Sequence, residues 1–180
     1  MKVTEFTKLS TLAVKPVVEA LQQLLADYQI YYSNLRGLHW NVKGKEFFVL
    51  HAQFENMYDN AATKIDEIAE RILMLDGIPA HNYSEYLKTS NVKELGYVSN
   101  GDEGVTHVME TISHFVTAER TILSLASEVG DETTVAMMSD YIKEQEKLLC
   151  MLVAYKSESV SYLVVLQRFS EIRESAFFYV

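Results

Sequence analysis

Along most of this 180-residue chain, apolar residues recur at intervals of three and four, and few residues interrupt the pattern. Four long helices are predicted. The first covers roughly 10–38, with Val17, Leu21, Leu24, Tyr28, Tyr32, Leu35 and His39 in register. A break at Trp40-Asn41-Val42-Lys43-Gly44 precedes a second helix over about 45–75, carrying Phe47, Leu50, Phe54, Tyr58, Ala61, Ile65, Ile68 and Ile72. Asp76-Gly77-Ile78-Pro79 should stop it, with Gly77 as the C-terminal cap and Pro79 barring continuation. A polar connection over 80–101 holds a short helix near Tyr83–Lys88. The third helix, about 102–128, has Val105, Val108, Ile112, Phe115, Ile122 and Leu125 on one stripe; the fourth, about 131–156, starts at Asp131 as N-cap.

Four amphipathic helices with one long connection between the second and third predict an all-α, ferritin-like four-helix bundle with a short helix in that connection. We divide the chain into a domain over 1–156 and a C-terminal extension of unknown role over 157–180, where Leu163, Leu166, Phe169 and Ile172 could form a further amphipathic helix before the apolar end 176–180.

Composition narrows the function. Sixteen Lys plus Arg against 25 Asp plus Glu give a net charge of −9, which disfavours a general nucleic-acid binder and suits attraction of metal cations. The single Cys150 excludes an intrachain disulfide framework. Neither a signal-peptide pattern nor a membrane-length apolar run is seen, so a cytoplasmic protein with no membrane partner is expected. Glu-x-x-His, the mark of a di-iron site inside one bundle, does not occur, and neither does a nucleotide-binding glycine loop.

On the second helix, His51, Glu55, Asp66 and Glu70 project at about 0°, 40°, 60° and 100°, and Phe54, Tyr58, Ala62 and Ile65 share that broad face. Ionisable groups beside a surface that tends to be buried need partners or a metal. The alternative is a solvated face with local ion pairs, and His39 taken alone reads as a hydrogen-bonded core histidine. Distance constrains the metal reading. His51 and Asp66 lie 15 positions apart, about 22 Å along a straight helix, whereas metal–ligand bonds span only about 2.0–2.6 Å. Two copies with antiparallel second helices across a two-fold axis unite His51 of one with Asp66 and Glu70 of the other, creating two equivalent sites. His39 would join His51. Two carboxylates with one or two imidazoles suit Fe(II), Mn(II) or Zn(II).

The strings Asn34-Leu35-Arg36-Gly37-Leu38-His39-Trp40-Asn41-Val42-Lys43-Gly44, Phe48-Val49-Leu50-His51-Ala52-Gln53-Phe54-Glu55-Asn56-Met57-Tyr58 and Asp66-Glu67-Ile68-Ala69-Glu70-Arg71-Ile72 closely resemble the Dps family, the miniferritins. The resemblance covers roughly residues 10–155. It implies a hollow dodecamer, a homo-oligomer with ferroxidase centres at its two-fold interfaces. There Fe(II) is oxidised to Fe(III), preferentially by hydrogen peroxide, and the ferric mineral is stored inside, protecting against oxidative stress. By matching position, His39 and His51 come from one subunit and Asp66 and Glu70 from its mate as the catalytic and iron-binding set. Glu55 stands at an acidic position that is a ligand or lies just behind one, and Trp40 resembles an aromatic that takes up an oxidising equivalent.

The alternative function is a nucleoid-associated, DNA-protecting protein whose iron chemistry is secondary. The N-terminal arm offers only Lys2 and Lys8 as cations, so strong DNA binding is not expected. Three further features are expected to count for less. His107, Glu110 and His114 have metal-compatible spacing but fit a solvated face; Asp131, Glu132 and Asp140 are candidates for an acidic pore; Met137, Met138, Met151 and Cys150 read as packing.

Overall fold

The computed structural model describes residues 1–176, and the side-chain surroundings of residues 1–157. The stripe Leu163, Leu166, Phe169 and Ile172 lies outside the described side chains, and the apolar end beyond Ala176 lies outside the described residues. Six helices follow in order: α1 (Val3–Thr7), α2 (Lys15–Asn41), α3 (Phe47–Met74), α4 (Tyr83–Thr89), α5 (Gly101–Glu128) and α6 (Glu132–Ala176). Among the described residues there is no strand, only an isolated bridge between Lys43 and Asn100. No helix of the described residues is long and apolar enough to cross a membrane.

The long helices pair as α2 with α3 and α5 with α6, and α2 joins the two pairs along α5. The predicted stripes meet in the middle. Leu21, Leu24 and Leu35 of α2, Phe54 and Ile68 of α3, Ile112 and Phe115 of α5 and Met138 of α6 are fully buried. Each such side chain contributes roughly 1.5–3 kcal/mol through burial. At the centre Tyr28 stacks flat on Phe115, with ring centroids 4.1 Å apart. Met138 packs as expected, but Met151 and Cys150 are exposed, a departure from the packing role read for them.

Three boundaries differ from the sequence reading. First, α2 begins at Lys15 rather than residue 10, with Pro16 in its first turn, where the missing N–H removes a donor that has no intrahelical acceptor. Second, α6 runs unbroken to Ala176 and merges the fourth helix with the proposed further one; no Gly or Pro occurs between Asp131 and Val180 to stop it. Third, the left-handed residue that ends α3 is Asp76, at φ 61°, not Gly77. The Gly77 N–H bonds Ile72 O at 2.9 Å and that of Asp76 bonds Leu73 O at 3.0 Å, a Schellman closure. Gly77 is needed for space, since a Cβ there would sit 2.7 Å from Ile72 Cγ2 and 2.8 Å from Val18 Cγ1.

Asp76 also ties down the N-terminus. Its carboxylate accepts from the backbone N–H of Val3 at 2.7 Å and of Thr4 at 3.1 Å, and from the Thr4 hydroxyl, so α1 packs at the end of α3. The Thr4 hydroxyl bond, aided by the two backbone donors, holds the Asp76 carboxyl below its ordinary value. Such a group supports the docked arm above the unfolded carboxyl's pKa and releases it as pH falls through the lowered folded value. Asp76→Ala is expected to abolish amide-exchange protection at Val3 and Thr4 while leaving the bundle core protected. Unchanged protection at both amides would refute the tether.

Candidate metal centre

A connection of only five residues, 42–46, turns the chain from α2 into α3, with Gly44 at φ 103° in a conformation that side-chain-bearing residues rarely adopt. Lys43 N–H bonds Ser99 O at 3.0 Å and holds this turn against the connection leading into α5. The reversal brings His39, in the last turn of α2, against His51, in the first turns of α3. Their rings stack with centroids 3.7 Å apart and planes 22° apart.

The two histidines brace each other. His39 Nδ1 lies 2.8 Å from the backbone oxygen of His51, and His51 Nδ1 lies 2.8 Å from that of His39. A carbonyl oxygen only accepts, so each Nδ1 carries the hydrogen. A neutral imidazole so protonated has its lone pair on Nε2. Neither Nε2 makes a hydrogen bond among the described residues. Metal-ligating histidines are oriented in this way, one ring nitrogen fixed by a carbonyl and the other left to bind. Phe47 stacks on His51 at 4.9 Å and Tyr58 meets His39 edge-on at 5.4 Å, closing the pair on its apolar side. His39 is 8% exposed.

Nearby, Tyr58 donates to Glu55 Oε1 at 3.2 Å. Lost solvation, then this bond to the Glu55 carboxylate, pushes the Tyr58 phenol above its ordinary value. Trp40 is 62% exposed, with the Arg36 guanidinium 4.7 Å from its ring centroid.

Asp66 and Glu70 stand one turn apart on the same unbroken α3, exposed, and neither makes a side-chain hydrogen bond or ion pair among the described residues. The face they share with His51 is only partly apolar: Phe54 is buried, Tyr58 and Ile65 are half-buried, and Ala62 is exposed. Glu70 borders a groove of about 470 Å³ between α3 and α6 whose walls also hold Glu67, Asp140 and Glu144. Within the single chain, therefore, the histidines come together and the Asp66/Glu70 pair stays well over a dozen residues further along the helix. Among the described residues, no three His, Cys, Asp or Glu side chains of one chain form a group able to hold a metal ion.

The lesser candidates have other work. His114 Nε2 lies 2.8 Å from Asp27 Oδ2. His107 sits between Glu103 at 3.9 Å and Glu110 at 3.8 Å. Asp131 is 1% exposed and caps α6, accepting from Thr134 N at 3.1 Å while pairing with Arg71, so it is not available to line a pore. Sequence reasoning missed the mutual bracing of the histidines. The cue was present, in two histidines flanking a single short helix break.

The ferritin-like domain family matches residues 18–158. A "DNA protection during starvation protein" of Porphyromonas gingivalis is 50% identical over 157 residues, 87% of this chain and 99% of its own. Among solved structures, the fold is similar to the Dps protein of Vibrio cholerae O1, described as a member of a broad superfamily of ferritin-like diiron-carboxylate proteins. The two share a TM-score of 0.80 and 48% identity, covering 82% of this chain and 92% of that one. A Dps protein from Bacillus brevis gives a TM-score of 0.78 at 31% identity, covering 82% and 99%.

Proposed function

The chain belongs to the Dps family of ferritin-like proteins, and from that premise we propose that it oxidises ferrous iron at sites shared between two subunits and stores the ferric product inside a hollow dodecamer. The observation that carries this reading is the braced histidine pair, which leaves two Nε2 atoms without a partner in the chain. Across a two-fold axis, Asp66 and Glu70 of a second copy complete a mixed nitrogen and oxygen shell, with Glu55 beside it. Such a shell binds Fe(II) and stabilises Fe(III) better than a purely nitrogen set.

Each residue's part follows from its surroundings. His39 and His51 hold ferrous substrate in a fixed orientation. Asp66 and Glu70 bring negative charge that favours the ferric product, and Glu55, hydrogen-bonded to Tyr58, adds a further carboxylate at the edge. Hydrogen peroxide is the preferred oxidant, because it takes both electrons from a pair of ferrous ions and so releases no hydroxyl radical. Protection of DNA follows from that chemistry. Direct binding to DNA is weak, since the net charge is −9 and the arm bearing Lys2 and Lys8 is docked through Asp76.

Anaerobic Fe(II) titration followed by peroxide addition tests the proposal. Saturable binding with rapid oxidation is expected in the wild type. His39→Ala should slow the oxidation by about a hundredfold or more without loss of the assembled particle. Equal rates in both proteins would sink the assignment. Retardation of DNA at moderate salt without added divalent metal would favour the nucleoid reading.

A further inference from the structure

Far from the braced histidines, α5 carries a carboxyl group into the middle of the bundle. Glu119 lies on the apolar stripe between Phe115 and Ile122 and has no exposed surface. Its Oε1 accepts from the Tyr28 hydroxyl of α2 at 3.0 Å and from Gln145 Nε2 of α6 at 2.6 Å, and the same amide nitrogen reaches Tyr28 Oη at 2.8 Å. Two acceptors remain. Among the described residues, Glu119 Oε2 and Gln145 Oε1 are the buried side-chain polar atoms left without a hydrogen bond.

Two orphaned acceptors in one buried cluster lack a single hydrogen. Turning the amide over does not supply it. That orientation would set the amide oxygen 2.6 Å from a carboxylate oxygen, a repulsive contact that again only an acid hydrogen relieves. We propose that Glu119 is a carboxylic acid rather than a carboxylate in the folded protein in mildly acidic solution, its Oε2 hydrogen donated to Gln145 Oε1 so that acid and amide close a two-bond ring. Both orphans are then satisfied by one proton, and Oε1 keeps its two donors. This inference stands independently of the iron chemistry.

The surrounding charges fit an uncharged acid. From α2 comes the Tyr28 phenol, which burial and then Glu119 itself push well above the ordinary value, so it stays a donor. From α3 comes Lys64, 4% exposed, but its ammonium is engaged by the Glu144 carboxylate and by Asn60 Oδ1 at 3.0 Å. From α6 come Gln145, Glu144 and Tyr141, whose hydroxyl donates to Glu67 instead. Loss of solvation pushes the Glu119 carboxyl up to about 7, overcoming the opposing pull of the Gln145 and Tyr28 bonds and of Lys64. A cavity of about 250 Å³, partly lined by Tyr28, Lys64, Glu144 and Gln145, adjoins the cluster.

The consequence is a pH-dependent bundle. The folded chain retains this proton in a range where the unfolded chain releases it. Stability from Glu119 is therefore complete below the ordinary value of 4.5, falls as pH rises towards about 7, and levels off above. Across that window the folding equilibrium constant drops on the order of a hundredfold.

Glu119→Gln tests the proposal by placing an amide NH₂ where the acid O–H would stand. In urea unfolding of the assembled protein, the wild type is expected to lose stability relative to this variant from pH 4.5 to 7, leaving the variant the more stable at pH 8. Infrared spectra of the wild type in D₂O at pD 6, where exposed carboxyls are ionised, should show a carboxylic-acid carbonyl band, and Glu119→Gln should lack it. Absence of the band from the wild type overturns the proposal whether or not the variant folds. So does a band that survives the substitution, or a variant less stable than wild type at pH 8.

Discussion

Mixing His51→Ala subunits with Asp66→Ala subunits in equal amounts, after dissociation and reassembly, is expected to restore about a quarter of the iron-oxidising sites although each variant alone is inactive. The fraction follows from symmetry. Random pairing puts unlike subunits at half of the two-fold interfaces. Within each mixed interface, one site gathers both defects and the other receives intact histidines from one subunit and intact carboxylates from its mate. Half of the interfaces, each with one of its two sites restored, gives the quarter. A centre confined to a single chain would recover nothing, so the initial rate of Fe(II) oxidation by peroxide before and after mixing decides between the two. The prediction rests on the unbroken run of α3 from Phe47 to Met74, which keeps His51 and Asp66 apart in every copy.

The second large effect concerns stability. Arg71→Ala is expected to destabilise the fold by about 3–5 kcal/mol, read as a lower urea midpoint. Arg71 lies one residue past Glu70 and is buried; its Nε donates to Thr134 Oγ1 at 2.8 Å and its Nη2 pairs with Asp131. The same Asp131 caps α6 through Thr134 N. Removing the guanidinium leaves the buried Asp131 carboxylate without its counter-charge, with only the Thr134 N–H and hydroxyl still donating to it, and loosens the start of α6 against the end of α3. Arg71→Lys should recover only part of the loss, because an ammonium lacks the planar fork that serves Thr134 and Asp131 together. A midpoint unchanged in Arg71→Ala would show that the cluster contributes nothing to the fold.

How much of this was legible beforehand differs by kind of interaction. The four long helices were readable because their stripes repeat every three to four residues. The continuity of α6 past residue 156 is also legible, in a stretch without Gly or Pro. The end of α3 was misassigned at one residue because Gly77 attracts the left-handed role by type, while Asp76, a permissible occupant, in fact takes it.

The site divides along the same line. Spacing exposed His39, His51, Asp66 and Glu70 as candidates, since spacing along a helix is a one-dimensional quantity. The bracing of the histidines is a contact between two chain segments, and its one cue is the position of His39 and His51 on either side of a single short helix break rather than their spacing along one helix. Buried polar groups are the general blind spot, yet three of them stand where the apolar register of a helix calls for a hydrophobe. Asp27 falls beside Leu24 and Tyr28, Lys64 between Ala61 and Ile68, and Glu119 between Phe115 and Ile122. An ionisable residue inside an apolar stripe was the available signal. What it implied depended on partners far away in sequence, such as the Ser90 hydroxyl and Asn91 N–H at 2.9 and 2.7 Å from Asp27 Oδ1.

The imidazoles of His39 and His51 are anchored to each other's main chain, and main-chain oxygens cannot be deleted by changing any third side chain. If the proposed centre is right, one half of the iron-handling apparatus is therefore finished as soon as a polypeptide folds, whereas the other half arrives only with a neighbour. On the proposed reading this works as a safety interlock. An isolated newly made molecule stays idle, and oxidant meets metal only once a second molecule has docked, which is the first step towards the container that receives what the reaction leaves behind.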